Sequence, residues 1–277
     1  MSYKDILVHV DETKACDARL DVAVGLAERF EAHLTGIYVD PGLAIPTVAD
    51  VQISPVLLEG LEEDQQRRRA EATKRFESRL ERSGVAREWR IAEGELVGTL
   101  TRHARYADLI VMGQDSPEEG TIVVGGLPDA VALACGRPIL VVPYIGVTRA
   151  PGGRVIVAWN ATREAARAVN DALPLLRGAD VVEVLSINAA KGEEFDADLP
   201  GADISLHLAR HGVTAEARQI VADDIDVGEM LLSHAADNGA DLIVMGAYGH
   251  ARFREVVLGG ATRQLLRHMT VPVLMSH

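Results

Sequence analysis

The chain has 277 residues, 48 % of them hydrophobic, enough for one large core or two of ordinary size, and usual domain lengths favour two. A formal net charge of -13 and a pI near 5.1 exclude a general affinity for nucleic-acid phosphates and for anionic membrane surfaces, because like charges oppose the encounter. No apolar run approaches the roughly 18 residues a membrane helix needs, and Met1 to Val10 reads as a polar start into a short strand, so a non-exported, cytoplasmic protein is expected.

The first strand runs from Ile6 to Asp11 and leads, past Thr13, into a helix-like stretch holding Cys16. A Pro/Gly-punctuated connection from Pro41 to Pro55, read as a surface loop or a lid, precedes a charged helix around Leu57 to Ser83. Asp108 to Gly113 is a strand, Cys135 falls in a further helix, and Arg137 to Val142 is again a strand. With no metal-type spacing, the two cysteines are expected to be reduced, buried and structural. After the turn-rich joint Thr148 to Gly153, strands are read at Arg154–Trp159, Asp180–Ile187, Thr214–Val221, Asp241–Met245 and Pro272–Ser276. Helices lie between them at Thr162–Arg177, Ala202–His211, Val227–Asn238 and Ala261–His268.

The two stretches repeat one another. Asp108-Leu109-Ile110-Val111-Met112-Gly113 recurs unchanged as Asp241 to Gly246, Ile6 to Asp11 answers Val155 to Asn160, and Arg137 to Val142 answers Val271 to Ser276. A period of about 133 residues is far beyond the 20 to 50 of solenoid repeats, so the chain is read as duplicated domains, residues 1–146 and 147–277. Continuous Val/Ile/Leu strands alternating with amphipathic helices predict an α/β fold: two tandem doubly wound domains, each a five-stranded parallel sheet with helices on both faces.

Ligands of such sheets sit beyond the C-terminal strand ends. There, after Met245, comes Gly246-Ala247-Tyr248-Gly249, then nine residues, then Gly259-Gly260-Ala261-Thr262 opening a helix. Glycines admit a close backbone approach, and a helix start offers free N–H groups, together a phosphate cradle. On these residues and the tandem repeat, the chain resembles a tandem-type universal stress protein. The nucleotide-binding members of that family carry two glycines three apart, nine residues, then Gly-Ser/Thr. Gly246, Gly249 and Gly259 match, Thr262 matches a further hydroxyl position, and Gly260 departs by losing one side-chain contact to phosphate.

The resemblance implies a sheet order of 3-2-1-4-5 and an adenine nucleotide, ATP or a relative, in the second half. Asn160 stands where the family has an Asp facing the nucleoside; it keeps an acceptor and adds a donor, and Asn160 or Thr162 could equally cap the next helix. Trp159 is read as stacking on adenine or as packing, and Ile187 matches a position whose backbone reads the base. In the first half the loop reads Gly113-Gln114-Asp115-Ser116-Pro117-Glu118-Glu119-Gly120, with Ser116 in place of the second glycine and carboxylates where phosphates would lie. Gly125-Gly126 is followed by Leu127-Pro128, so this half is read as a degenerate, structural copy.

His207 and His211, four apart on a helix, lack a third ligand and are read as structural, so no metal is expected. Neither a Gly-x-Ser-x-Gly elbow nor a Gly-x-x-x-x-Gly-Lys-Ser/Thr loop occurs, and no general base or metal-binding carboxylate pair stands by the loop. Arg252 and Arg254 neutralise phosphate or merely solvate the turn. The reading is therefore a stress-response or signalling module, not an enzyme, with slow ATP hydrolysis left open; the alternative is a nucleotide-independent scaffold of the same fold. The protein partner is unidentified. The two fifth strands, at sheet edges, are expected to pair within one chain as a pseudo-dimer, with association into a homodimer through other faces left open.

Overall fold

The computed structural model describes residues 2–42, 54–115, 126–147, 150–188, 201–222, 225–248 and 260–277, the Ala261 side chain excepted. Gly249, Gly259, Ser116, Glu118, Glu119, Gly125, Arg252, Arg254 and most of the Pro41–Pro55 connection lie outside them. In chain order the elements are β1 (Asp5–His9), α1 (Cys16–Phe30), β2 (His33–Asp40), α2 (Pro55–Leu80), β3 (Arg87–Glu93), α3 (Leu96–Ala104), β4 (Leu109–Gly113), α4 (Leu127–Cys135) and β5 (Ile139–Val142). The second half repeats the series as β6 (Arg154–Ala158), α5 (Arg163–Leu176), β7 (Val181–Ile187), α6 (Ala202–Arg210), β8 (Ala215–Ile220), α7 (Val227–Asp237), β9 (Leu242–Gly246), α8 (Gly260–His268) and β10 (Val273–Ser276).

All ten strands form one sheet in the order β3-β2-β1-β4-β5-β10-β9-β6-β7-β8. Within each half every pairing is parallel. The halves meet where β10 runs antiparallel to β5, with Val273 opposite Val141, Leu274 opposite Leu140 and Met275 opposite Ile139. The fifth strands thus do pair within the chain, as their exposed backbone edges require.

Because successive strand residues point to opposite faces, the two faces carry separate cores, each running through both halves. Ile6, Val8, Val155 and Val157 pack with α1, α2, α5 and α6. Leu7, Ile110, Ile156 and Ile243 pack with α3, α4, α7 and α8. β1, β4, β9 and β10 are buried along almost their whole length, as their apolar runs predict. The outermost strands differ: β3 and β8 hold no fully buried residue, and β8 corrects the expectation that all strands of the second half are covered on both faces. An edge strand lacks a neighbour on one side, and α2 on β3 and α6 on β8 cover it only in part.

The identical hexapeptides share one structural task. Asp108 Oδ2 accepts from the Lys4 and Asp5 amides at 2.7 and 3.1 Å, and Asp241 Oδ1 accepts from Gly152 and Arg154 at 2.9 and 3.1 Å. Each carboxylate therefore anchors the start of its own half's first strand. Cys16 and Cys135 are both buried free thiols.

Candidate functional site

Beyond the C-terminal end of β6, a cavity of about 240 Å³ is lined by Trp159, Asn160, Ile187, Met245, Gly246, Gly260 and Thr262, which come from four separate segments. These are seven of the ten residues singled out from the sequence. Gly249 and Gly259 lie outside the described residues, and Ala261 takes its place in the first turn of α8. The cavity sits where the chain passes from β6 to β7 on one side and to β9 on the other, the switch point of the second half.

Local interactions set its polar wall. The Thr162 amide and hydroxyl both donate to Asn160 Oδ1, at 3.3 and 2.8 Å, and Thr162 Oγ1 accepts from the Ala165 amide at 3.3 Å as N-cap of α5. The cap is thus Thr162, while Asn160 Oδ1 is engaged in the turn just before it. Ala161 at φ 57° and Tyr248 at φ 60° occupy the left-handed region, costing a non-glycine residue on the order of 1 kcal/mol each. Both flank this cavity. Trp159 is partly buried against the core and also lines the wall, so packing and a stacking face are combined in one ring.

Gly246 has a cause that sequence reasoning missed. A Cβ there would stand 2.5 Å from the Ala165 amide nitrogen and 2.6 Å from the Glu164 carbonyl carbon, so glycine is required by the start of α5 and not by a ligand alone. The apolar wall of Val227, Gly228 and Leu231 from α7, with Leu265 from α8, was also not foreseen. Its signal was present: Val227 and Leu231 are four apart on a helix that leads back to β9.

The first half has a larger cavity of about 490 Å³ at the matching place, lined among others by His9, Asp11, Arg19, Tyr38, Gln114, Asp115 and Leu127. Asp11 Oδ1 accepts from the Thr13 hydroxyl and amide at 2.5 and 3.1 Å, the same local turn as at Asn160, and pairs with Arg19 Nη2 at 2.8 Å. Burial alone would raise the Asp11 carboxyl, but the Arg19 guanidinium, then His9 and Thr13, hold it far below the usual carboxylate range. His9 is lowered to about 4, first by burial, and is neutral at physiological pH. Asp115 receives the Leu127 amide at 3.1 and 3.3 Å, so a side-chain carboxylate occupies the helix start where an anion would bind.

A buried acid sits at the junction of the two halves. Asp129, in the first turn of α4, faces the Tyr248 hydroxyl across the junction, close to it but outside hydrogen-bonding geometry. Its carboxyl is pushed up to about 6, first by burial and further by Asp115, while Tyr248, Arg263 and Arg267 pull it down. A carboxyl titrating near 6 when folded and near 3.9 when unfolded holds its proton more tightly in the folded state, so this group's contribution to stability falls as pH rises from about 4 to about 6. Asp129→Asn is expected to remove that fall. Stability should rise by about 1–2 kcal/mol at pH 7.5 and hardly change at pH 4, read as thermal midpoints at the two pH values.

Among the described residues no group of three or more potential ligands could hold a metal, and His207 and His211 form a ring pair with centroids 4.5 Å apart. No described helix is long and apolar enough to cross a membrane.

Two doubly wound units with a crevice at each switch point place the chain among the doubly wound α/β proteins. The model of the universal stress protein family matches residues 2–143 and again residues 151–277, so the chain belongs to that family. Over 94 residues, 26 % of this chain and 32 % of its relative, it is 35 % identical to the universal stress protein Slr1230 of a Synechocystis strain. It is 36 % identical over 58 residues to the universal stress protein MJ0577 of Methanocaldococcus jannaschii, 20 % of this chain and 36 % of that one. The chain thus spans about a third of the length of the curated relatives it matches. A universal stress protein from Archaeoglobus fulgidus has the same fold over 98 % of this chain and 95 % of its own, with a TM-score of 0.73 at 17 % identity.

Proposed function

We propose that the chain is a stress-response module that binds an adenine nucleotide, ATP or a relative, in the second-half crevice, and that occupancy biases its contacts with a protein partner. The observation that carries this reading is the convergence of Trp159, Asn160, Ile187, Met245, Gly246, Gly260 and Thr262 on one cavity at a switch point. The apolar wall suits a base, and the start of α8 with the buried Thr262 suits phosphate. The Asp115 carboxylate on the Leu127 amide at the start of α4 supports leaving phosphate out of the first half. The module acts by binding and not by turnover.

Calorimetric titration of ATP into the full chain should give one site per chain, and Gly249→Asp should abolish it by placing charge and bulk in the phosphate loop. Two ATP sites per chain would refute the asymmetry. No binding, with no nucleotide released on denaturation, would favour a nucleotide-independent scaffold.

A further inference from the structure

The second-half crevice is gripped by the first half on both sides of its glycine loop. Gln114, which follows β4 and is 7 % exposed, donates through Nε2 to the Leu266 and Arg267 carbonyls at 2.8 and 3.1 Å. Those carbonyls lie in the last turn of α8, the helix whose first turn brings Gly260 and Thr262 to the crevice. On the other side Tyr248, the residue before Gly249, lines the crevice and faces Asp129 of α4 across the junction.

This second grip is held in reserve. Asp129 is 5 % exposed, and neither its Oδ1 nor the Tyr248 hydroxyl has a hydrogen-bond partner among the described residues, although both atoms are sealed from solvent. A buried polar atom without a partner is costly, and a buried charge more so. A carboxylate only accepts and a phenol donates, so each is the partner the other lacks, and the bond is strongest when the acid is ionised. Tyr248 stands at φ 60°, a left-handed conformation that a non-glycine residue keeps only where its surroundings impose it. Drawing its hydroxyl to α4 supplies that hold directly before Gly249.

Four groups face Asp129. Asp115, just after β4, opposes its ionisation, while Tyr248 and, from α8, Arg263 and Arg267 favour it. With burial included, the carboxyl is pushed up to about 6, so its charge at neutral pH is kept at the expense of stability, a cost that concentrates at working sites. The titratable group on the far side of the Tyr248 segment is His277, with Nδ1 3.0 Å from the Ala247 carbonyl.

We propose that Asp129 is a positioning residue for the second-half crevice: by taking the Tyr248 hydroxyl across the junction, the first half fixes the entry to the glycine loop, and ligand affinity in the second half follows the charge on an acid of the first. The degenerate copy thereby serves as a built-in regulator of the other. For ATP as ligand this rests on the nucleotide reading above, whereas the coupling of Asp129 to the crevice stands apart from it.

Calorimetric titration with ATP at pH 7.5 should show Asp129→Asn about tenfold weaker than the unsubstituted chain, the loss of one charge-assisted hydrogen bond. Tyr248→Phe should be weakened as much, and the double variant no further, since both changes remove one contact. At the same pH the thermal midpoint of Asp129→Asn should rise, a combination that a merely structural residue does not give. At pH 5 the gap should close, because Asp129 is then protonated in the unsubstituted chain; the protons of the nucleotide and of His277 are common to all the proteins compared. Without ligand, in a Trp89→Phe background, the fluorescence of Trp159 in the same crevice should shift with a midpoint near pH 6, and neither variant should show the shift. The proposal is overturned if that transition is absent or survives in either variant, or if Asp129→Asn binds ATP as tightly as the unsubstituted chain at pH 7.5. If ATP binds none of them, the nucleotide reading fails and the Trp159 titration alone decides the coupling.

Discussion

Gly246→Val is expected to destabilise the second half by roughly 3 kcal/mol or more, since overpacking of a rigid site cannot be relieved by side-chain rotation. The atoms a Cβ would meet at 2.5 and 2.6 Å belong to the backbone at the start of α5, and moving them would shift a helix that packs on both β9 and β10. The matching change Gly113→Val in the first half should cost less. There the obstacle is the end of one side chain, Arg19, 2.7 Å away, and not backbone. Urea unfolding of both variants checks this, and equal losses would show that the two glycines are interchangeable.

Phe76→Ala should cost about 3–5 kcal/mol, the usual loss for a fully buried aromatic ring. Helix α2 is 26 residues long, yet only Ala72, Phe76 and Leu80 are buried, a single stripe spaced four apart. The Phe76 ring is stacked on Trp89 with centroids 5.0 Å apart, and it lies so close over Gly36 that a Cβ there would come within 2.5 Å of it. Arg75 extends the same attachment to the first crevice, donating to the Asp11 and Thr13 carbonyls at 3.0 and 2.6 Å. Denaturant midpoints, with Trp89 fluorescence followed in a Trp159→Phe background, should report both the loss and the release of α2. A change below 1 kcal/mol would mean that the salt links, and not the ring, hold this helix.

The architecture was legible because its signals are redundant. Apolar runs such as Leu109 to Met112 must be buried on both faces, and an identical run at Leu242 to Met245 can only mean a second copy of the same layer. The second crevice was legible for a related reason: residues placed directly after strands are carried to one end of the sheet by topology alone. Contacts across the chain were less so. That Gly246 answers to the α5 backbone, that Asp115 caps α4, or that Arg19 lies under Gly113 depends on tertiary distances that no spacing encodes. The degenerate loop of the first half is itself legible, since Ser116 stands where the phosphate pattern has its second glycine. The cavity with its buried His9 and Arg19 could not be seen in a string of letters.

The acidic link at the junction also decides which surfaces are allowed to meet. Asp129 and Asp115 belong to the first half, while Arg263, Arg267 and Tyr248 beside them belong to the second. Two first halves joined through β5 would bring this acidic pair against its own copy across a twofold axis, where each residue meets its symmetry mate's surroundings. Two second halves joined through β10 would gather arginines in the same way. Each homotypic pairing is penalised by repulsion, and only the mixed one is neutralised. Within one chain the tether holds the complementary half in place, and the acid of one half lies beside the arginines of the other.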